Sequence, residues 1–168
     1  MALRNILLEG DETLRKPSRR VDKFNKRLEI LLDDMRETLI NANGLGLAAP
    51  QVGVLRRVVV IMGEDGEILE LVNPEIVSAE GEQDGYEGCL SIPDTYGLVV
   101  RPMKVTVRAF DRSGNEFEVT GEGLTARAFS HEIDHLDGKL YIDKAYKMLS
   151  IEELEALLSA EADGQQDE

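Results

Sequence analysis

Apolar residues recur along this chain with a helical period in two segments. After Asn25, which can cap a helix, the 3.6-residue period is followed by Leu28, Leu31, Leu32, Met35 and Leu39. This pattern predicts a first helix that ends near Asn43 and Gly44. A second helix is predicted for "LTARAFSHEIDHLDG", with Asp137 and Gly138 as its stop signal. One stripe of this second helix carries Leu124, Ala128, His131 and His135.

Other segments have the patterns of strands, turns and loops. "RRVVVIMG" is a β-branched run that predicts a buried strand, and "ILELVNPEIV" predicts two strand pieces separated by Asn73 and Pro74. The alternating residues of "KVTVRAFDRSGNEFEVTGEG" predict a β-hairpin around residues 113–115. By contrast, the Gly-rich "GLGLAAPQVG" at 44–53 and the segment 77–100 are predicted to be irregular or rich in loops, where functional residues concentrate.

The C-terminal end has the pattern of a short acidic helix. Ser150 and Glu153 form a capping box, and the apolar positions of this helix are Ile151, Leu154, Leu157 and Leu158. The polar residues 161–168 are expected to fray. We therefore expect one domain over residues 1–149, followed by a short acidic helix and a frayed tail over residues 150–168.

The composition is that of an ordinary globular protein. The chain has 168 residues, of which 42% are hydrophobic and 31% are charged, and this size fits a single domain. Its apolar runs are too short to span a bilayer, and charged residues interrupt the N-terminal segment where a secretory signal needs an apolar core. The single cysteine, Cys89, cannot form an internal disulfide. We therefore expect a cytoplasmic protein that does not bind membranes.

The formal net charge of −14 makes general binding to DNA or other nucleic acids unfavourable, but the charge is unevenly distributed. Residues 150–168 contain seven acidic residues and no Lys or Arg, whereas residues 15–27 contain seven basic residues and one acidic residue. Such runs are usually solvated surfaces. A docking patch is the minority interpretation of each run.

The motif HEIDH, residues 131–135, contains both histidines of the chain. Residues four apart lie on the same face of a helix, so His131 and His135 can present two imidazoles to one point. Glu132 can stand beside that point as a general base for a water molecule. This arrangement is typical of a catalytic metal site.

The residues alone leave the third ligand open. One candidate is Cys89, which lies in the Gly-containing segment "EGCLS". A second is Glu155, which lies 20 residues beyond His135, as in HExxH metallopeptidases. In a third interpretation Cys89 is a nucleophile and one histidine is its base, which would leave the other histidine and Glu132 without a role.

Three motifs in order decide between these alternatives. "GLGLAAPQ" at 44–51, "EGCLS" at 87–91 and "HEIDH" at 131–135 resemble the motifs of the peptide deformylases, and the resemblance extends from residue 6 to residue 143. The EGCLS form resembles the bacterial type 1 branch. The resemblance implies an α+β fold in which mostly antiparallel sheets pack around a central helix that carries the HExxH motif. It also implies hydrolysis of the formyl group from the N-terminal formylmethionine of new polypeptides.

The resemblance further implies the roles of individual residues. Cys89, His131 and His135 would hold one divalent metal ion, Fe²⁺ as the usual ion, with Zn²⁺ or Ni²⁺ as alternatives. Glu132 would transfer the proton, and the side chain of Gln51 and the backbone N–H of Leu90 would donate to the formyl oxygen. Substrate binding would involve Gly44, Leu45, Gly46, Glu87, Gly88, Leu124 and Ala128.

The partners implied are nascent N-formylmethionyl peptides and, transiently, the ribosome, with the enzyme acting as a monomer. The chain departs from the common family pattern at three positions, where it has Ser130 before the first histidine, Tyr96 near the far end of the bound peptide, and Tyr86 before Glu87. These departures are expected to change the packing around the histidines or the contacts beyond the methionine, but not the ligands.

The two alternatives for the third ligand predict opposite results for two substitutions. If Cys89 is the ligand, Cys89→Ala loses metal and activity together, because two imidazoles alone hold a transition metal weakly, and Glu155→Ala changes neither. If Glu155 is the ligand, the two results are exchanged. Metal content after gel filtration and the rate of formate release from a formyl-Met peptide, measured on both variants, distinguish the alternatives.

Overall fold

The computed structural model describes residues 2–166. In this part of the chain the helices are α1 (Lys26–Ala42), α2 (Leu124–Leu136) and α3 (Ile151–Gln166). The strands are β1 (Gly46–Ala48), β2 (Val58–Met62), β3 (Ile68–Glu80), β4 (Gln83–Cys89), β5 (Ile92–Arg101), β6 (Lys104–Phe110), β7 (Glu116–Glu122) and β8 (Lys147–Ser150).

The strands form two antiparallel sheets. One sheet has five strands in the order β1-β2-β3-β6-β7, and the other has three strands in the order β4-β5-β8. The predicted α+β class is therefore confirmed. Strands β1 and β4 each lie at an outer position of their sheet, which leaves one side of each strand without a strand partner among the described residues.

The strand β2 explains why "VVVIM" is apolar throughout. Val58 and Val60 pack with α1 in one apolar cluster, whereas Val59 and Ile61 pack with α2 in a second cluster. Successive side chains of a strand point to opposite faces, so a strand that is covered by a helix on each face needs no polar positions. The five-stranded sheet thus lies between α1 and α2, and the opposite side of α2 faces the three-stranded sheet.

The predicted helix ends are confirmed. The Asn25 side chain accepts a hydrogen bond from the Leu28 N–H at 3.2 Å, and Asn43 ends α1 in the left-handed conformation. After α2, Gly138 has φ +73°, and a Cβ there would lie 2.5 Å from the Arg15 carbonyl oxygen. Only glycine fits this position without strain or a clash, so the stop signal after HEIDH also determines how closely the N-terminal segment approaches α2.

The prediction of irregular structure was wrong for two segments. Residues 77–100 contain the end of β3, all of β4 and most of β5, and residues 44–53 contain β1 and a short 3₁₀ helix. The sequence of β4 lacks visible alternation because Gly85 and Gly88 occupy strand positions. A Cβ at Gly85 would lie 3.1 Å from the Arg127 guanidinium, and one at Gly88 would lie 2.8 Å from the Tyr96 ring. These glycines leave room for neighbouring side chains, which composition alone does not reveal.

The segment predicted as two strand pieces around Asn73 and Pro74 is one long strand, β3, with a shift in register between Val72 and Glu75. The bulge occurs where Asn73 has φ +51° and its side chain pairs with both backbone groups of Val21, at 2.8 and 2.9 Å. A tertiary contact therefore stabilises a conformation that in the sequence looks like a break.

The C-terminal capping box is confirmed, since Glu153 N–H donates to the Ser150 hydroxyl at 3.2 Å. Helix α3 is longer than predicted and continues to Gln166. Residues 167 and 168 lie outside the described residues. In the part of the chain that the structure describes, no helix has the length and apolar character needed to cross a membrane.

Candidate active site

A cavity of about 620 Å³ opens between the two sheets and helix α2. Its walls come from the segment before β1, from strands β4 and β5 with their connection, and from α2. Of the residues predicted to form the site, the cavity is lined by Gly44, Leu45, Gly46, Glu87, Gly88, Cys89, Leu90, Leu124, Ala128, His131 and Glu132, whereas Gln51 and His135 do not line it. The structure therefore brings together residues from all three sequence motifs.

Cys89, His131 and His135 form a compact group of potential metal ligands. One ligand atom from each residue lies within 4.8 Å of the others, and the Cys89 Sγ is 3.4 Å from the His135 Nε2. Cys89 ends β4, whereas the histidines occupy successive turns of α2, with ring centroids 5.1 Å apart. Both histidines are buried. The expected i, i+4 geometry is present, and the sheet supplies the third atom.

The chemistry of this group fits a divalent cation. Burial opposes protonation of His131, but hydrogen bonds with Cys89 and Glu87 outweigh it and raise the pKa of His131 to about 10. Burial, together with the nearby charge of His131, lowers the pKa of His135 well below its usual value. The environment therefore stabilises one positive charge beside the thiol and disfavours a second proton. A metal ion can take the place of that proton, and a Cys-His-His donor set suits Fe²⁺, Zn²⁺ or Ni²⁺.

Glu87 is saturated by hydrogen bonds and ion pairs within the protein. Its Oε1 contacts the His131 Nδ1 at 2.8 Å and the Arg101 Nη2 at 2.9 Å. Its Oε2 contacts the Arg101 Nε and the Arg127 Nη1, both at 2.7 Å. The expectation that Glu87 binds substrate stays a prediction, and both oxygens of this buried carboxylate already have protein partners. The contact with the His131 Nδ1 leaves the other imidazole nitrogen available to bind a metal ion.

The same contacts change the acidity of Glu87. Burial favours the neutral carboxyl, but the hydrogen bonds from Arg101 and His131 outweigh it and lower the pKa of Glu87 to about 2. Arg101 also donates a hydrogen bond to the Asp134 Oδ2 at 2.7 Å, and the Lys144 Nζ lies 2.9 Å from the same oxygen. A connected set of ionic groups therefore lies on the Nδ1 side of the His131 imidazole.

Arg101, Arg127 and Ser91 were not anticipated from the sequence. Arg127 could have been identified from the sequence, because it precedes His131 by four residues and therefore lies on the same face of α2. Its guanidinium also donates to the Val99 carbonyl at 3.0 Å, which joins α2 to β5. Arg101 had no such signal, since its partner Glu87 is 14 residues away and pairs through the β4-β5 hairpin.

Glu132 is buried beside the ligand group but lacks a strong ion-pair partner. Its Oε1 lies 3.9 Å from the His131 Nε2, and its Oε2 has no hydrogen-bond partner among the described residues. Burial raises the pKa of Glu132 to about 7, although the charge of His131 lowers it. A carboxyl that titrates near neutral pH can both accept and return a proton.

Gln51 is held in one orientation beside Cys89. Its Oε1 accepts the Ala48 N–H at 2.9 Å, and its Nε2 donates to the Ser91 hydroxyl at 3.1 Å and lies 3.6 Å from the Cys89 Sγ. The amide N–H₂ therefore faces the ligand group. Leu90 lies in the connection between β4 and β5 and lines the cavity next to Cys89.

The glycines of the cavity make room for protein side chains. A Cβ at Gly46 would lie 2.8 Å from the Glu132 Cγ, and one at Gly44 would lie 2.8 Å from the Leu90 Cδ1. A larger residue at 46 would therefore displace Glu132.

The three departures from the family pattern occupy different environments. Tyr86 and Tyr96 line the cavity and form an edge-on aromatic pair, with ring centroids 6.2 Å apart. Ser130 is buried, and its hydroxyl has no hydrogen-bond partner among the described residues. Leu124 lines the cavity and is 56% exposed, so the stripe that carries the histidines is exposed at its start.

Glu155 does not join the ligand group. It is exposed on α3, and the group found within the described residues consists of Cys89 and the two histidines. The geometry therefore favours the cysteine over the glutamate as the third ligand.

Comparisons with known proteins agree with the geometry. Residues 3–150 match the family described as polypeptide deformylase. The chain is 59% identical over 155 residues to a peptide deformylase of Caldicellulosiruptor bescii, with 92% of this chain and 93% of that protein covered. It is 56% identical over 155 residues to a peptide deformylase of Acetivibrio thermocellus, with 92% and 91% covered.

Solved structures show the same similarity. The crystal structure of a peptide deformylase from Legionella pneumophila matches with a TM-score of 0.82 and 46% identity, covering 96% of this chain and 98% of that one. The structure of peptide deformylase from Thermotoga maritima matches with a TM-score of 0.84 and 36% identity, covering 88% and 100%.

The pKa of Glu87 predicts a defined acid dependence of stability. Folding lowers the pKa of Glu87 from 4.5 to about 2. The ionised Glu87 carboxylate therefore adds to the free energy of unfolding above pH 4.5, and this contribution is lost as the pH falls towards 2. In Glu87→Gln this part of the pH dependence disappears. The variant is also less stable at neutral pH, by about 3–5 kcal/mol, because Arg101 and Arg127 lose their charged partner.

Chemical denaturation of the metal-free proteins between pH 2 and 7 measures both effects. Glu118→Gln is the matched control, since Glu118 is an exposed carboxylate paired with Arg108 at 3.1 Å. A Glu87→Gln curve parallel to that of the parent would contradict the assignment.

Proposed function

The chain belongs to the peptide deformylase family, and we propose that its Cys-His-His group and Glu132 carry out the family's reaction. This enzyme hydrolyses the formyl amide at the N-terminal formylmethionine of newly made polypeptides and yields formate and a free amino terminus. The observation that supports the residue assignment is that Cys89, His131 and His135 form one ligand group, and that Cys89, His131 and Glu132 line the same cavity.

Cys89, His131 and His135 are the proposed metal ligands. A bound divalent metal would act as a Lewis acid on the formyl oxygen and would lower the pKa of the attacking water. The Glu87 contact to His131 Nδ1 keeps the opposite nitrogen available and adds negative charge behind the imidazole. Glu87 is therefore proposed as a positioning residue rather than as a substrate-binding residue.

Glu132 is the proposed proton carrier. Its unpartnered Oε2 is available to take a proton from water, and its raised pKa lets the resulting carboxylic acid give that proton to the departing amine. Gly46 permits this position, because no side chain at 46 competes for the space.

Gln51 and Leu90 are the proposed donors to the formyl oxygen. The Gln51 amide is fixed through Ala48 and Ser91, so its N–H₂ is oriented before substrate arrives. Donors that are already in place stabilise developing negative charge without a reorganisation cost. The backbone N–H of Leu90 would be the second donor, since this residue follows Cys89 directly.

The substrate peptide is proposed to bind in an extended conformation between β1 and β4. Each of these strands has a side without a strand partner among the described residues, and residues of both line the cavity. Backbone hydrogen bonds to a strand edge do not depend on side chains, which suits an enzyme that must accept many polypeptides. Leu124 and Ala128 provide an apolar wall for the methionine side chain.

The proposal extends to the setting of the reaction. The substrates are made on ribosomes, so we propose that the enzyme acts in the cytoplasm as a monomer and contacts the ribosome transiently. The sequence EGCLS supports assignment to the type 1 branch. The alternative metallopeptidase with Glu155 as a ligand is not favoured, because Glu155 is exposed on α3 and lies outside the ligand group.

Formate release from a formyl-Met peptide, compared with cleavage of internal peptide bonds, tests the reaction. We expect formate without internal cleavage. In Glu132→Gln we expect an unchanged metal content and a fall in kcat of about 10²–10⁴-fold, since ligation needs the imidazoles but proton transfer needs a carboxyl group. Glu155→Gln is the matched control and should retain the parent rate. A rate within tenfold of the parent in Glu132→Gln would remove the proposed role.

Ferrous iron is the proposed metal, because a thiolate with two imidazoles binds it readily and the thiolate makes it sensitive to oxidation. We expect protein purified without oxygen to contain iron and to lose activity in air, while a nickel form retains activity. Metal analysis and activity half-lives of the two forms check this expectation. Equal half-lives would contradict a ferrous thiolate site.

A further inference from the structure

The wall of the cavity contains a buried arginine, Arg127, next to the proposed binding place of the methionine side chain. It lies on α2 between Leu124 and Ala128, which form the proposed apolar wall, and four residues before His131. Residues three or four apart on a helix share a face. The Arg127 side chain is 6% exposed and lines the same cavity. The methionine pocket therefore has a guanidinium group beside its apolar side chains.

The protein uses only part of the hydrogen-bonding capacity of this guanidinium. An arginine has five N–H donors. The Arg127 Nη1 donates to the Glu87 Oε2 at 2.7 Å and to the Val99 carbonyl at 3.0 Å, and its Nη2 donates to the Gln83 carbonyl at 3.4 Å. The Nε N–H and one Nη2 N–H have no hydrogen-bond partner among the described residues. Because Glu87 already neutralises the positive charge, these two donors suit a neutral acceptor.

Gly85 leaves the unused edge of the guanidinium uncovered. This glycine lies on β4 and lines the cavity. A Cβ at position 85 would lie 3.1 Å from the Arg127 Nη2, 3.6 Å from its Cζ and 3.9 Å from its Nε. A side chain at this position would therefore cover the two atoms that carry the unused donors. With glycine there, a ligand in the cavity can reach them.

We propose that Arg127 makes the pocket accept methionine sulfoxide, so that the protein also deformylates peptides that begin with N-formylmethionine sulfoxide. Oxidation converts the thioether sulfur, a weak acceptor, into a polar group with an exposed oxygen. The Nε and Nη2 donors of Arg127 bind this oxygen. The reaction consumes one water molecule and yields formate and a peptide with a free amino terminus, and the sulfoxide is unchanged. This inference rests on the proposed function, because it concerns a second substrate of the same site.

A pocket with apolar walls alone would discriminate against the sulfoxide. Its oxygen would lose hydrogen bonds to water and gain none from the protein, which is unfavourable for a buried polar group. Apolar pockets reject a substrate with one added polar group by about 10²-fold. With two donors in the wall, we expect the sulfoxide substrate to react within about tenfold of the methionine substrate.

The test compares three peptides of the form formyl-X-Ala-Ser, in which X is methionine, methionine sulfoxide or norleucine. Norleucine has a methylene group in place of the sulfur, so it reports the shape of the pocket without an acceptor. Formate release gives kcat/KM for each peptide. Calorimetric titration of the same peptides into the Glu132→Gln protein, whose turnover is expected to be slow, gives Kd independently of the reaction.

Two variants remove the donors in different ways. Gly85→Ala places a methyl group against Nη2 and leaves the contact between Arg127 and Glu87 in place. Arg127→Lys retains a positive charge beside Glu87 but has three donors on one nitrogen, and the Glu87 and Val99 oxygens can occupy two of them. Gly164→Ala is the matched control, because it adds the same methyl group on α3, where a Cβ meets nothing within 4 Å.

For the parent and Gly164→Ala we expect kcat/KM of the sulfoxide peptide within about tenfold of that of the methionine peptide. In Gly85→Ala and Arg127→Lys the sulfoxide value should fall at least about tenfold relative to the norleucine value, because the oxygen loses its donors. The Kd values should change in the same order. Dividing by the norleucine value removes any change in pocket shape that the substitutions cause.

An unchanged ratio of sulfoxide to norleucine in both variants would overturn the proposal, as would a parent that rejects the sulfoxide peptide by about 10²-fold or more. If Arg127→Lys is unfolded by circular dichroism, Gly85→Ala and the parent decide. Formate release from the methionine peptide without release from the sulfoxide peptide would overturn this proposal alone. Sulfoxide binding that depends on Gly85 and Arg127, without formate release from any peptide, would contradict the proposed function and support the binding role of Arg127.

Discussion

The contact between the Glu87 carboxylate and the His131 imidazole is the constraint on which the site depends. Glu87 lies on β4, two residues before Cys89, and His131 lies on α2. The 2.8 Å contact, reinforced by Arg127 from the same helix, therefore fixes the sheet that carries the thiol against the helix that carries both imidazoles. Together with the Arg127 hydrogen bond to the Val99 carbonyl, this contact holds the thiol of the sheet next to the two imidazoles of the helix.

The surrounding charges divide the buried carboxylates into two kinds. Glu87 is compensated by Arg101 and Arg127, and its pKa is lowered to about 2, so it remains a fixed negative charge. Glu132 has no arginine within ion-pair distance among the described residues, and its pKa is raised to about 7. These different environments are the basis for the two proposed functions, in which Glu87 orients an imidazole and Glu132 exchanges a proton.

The sequence was sufficient for elements with strong local signals. The caps of α1, the β6-β7 hairpin and the position of HEIDH on α2 follow from periodicity and from turn residues, and the structure confirms them. The roles of β4 and Glu87 could not be obtained in this way. Glycines replace the alternating side chains of β4, and the arginines that neutralise Glu87 come from distant segments. A buried ion cluster depends on tertiary contacts, which local patterns do not encode.

The central claim is that a sulfur atom from the sheet and two nitrogen atoms from the helix bind one metal ion. The most direct test is the absorption spectrum of the cobalt-substituted protein. Coordination by the Cys89 thiolate predicts an intense charge-transfer band in the near ultraviolet, and Cys89→Ser should lose this band while its folded state persists by circular dichroism. A cobalt form of the parent that binds one ion per chain and lacks the band would contradict the account.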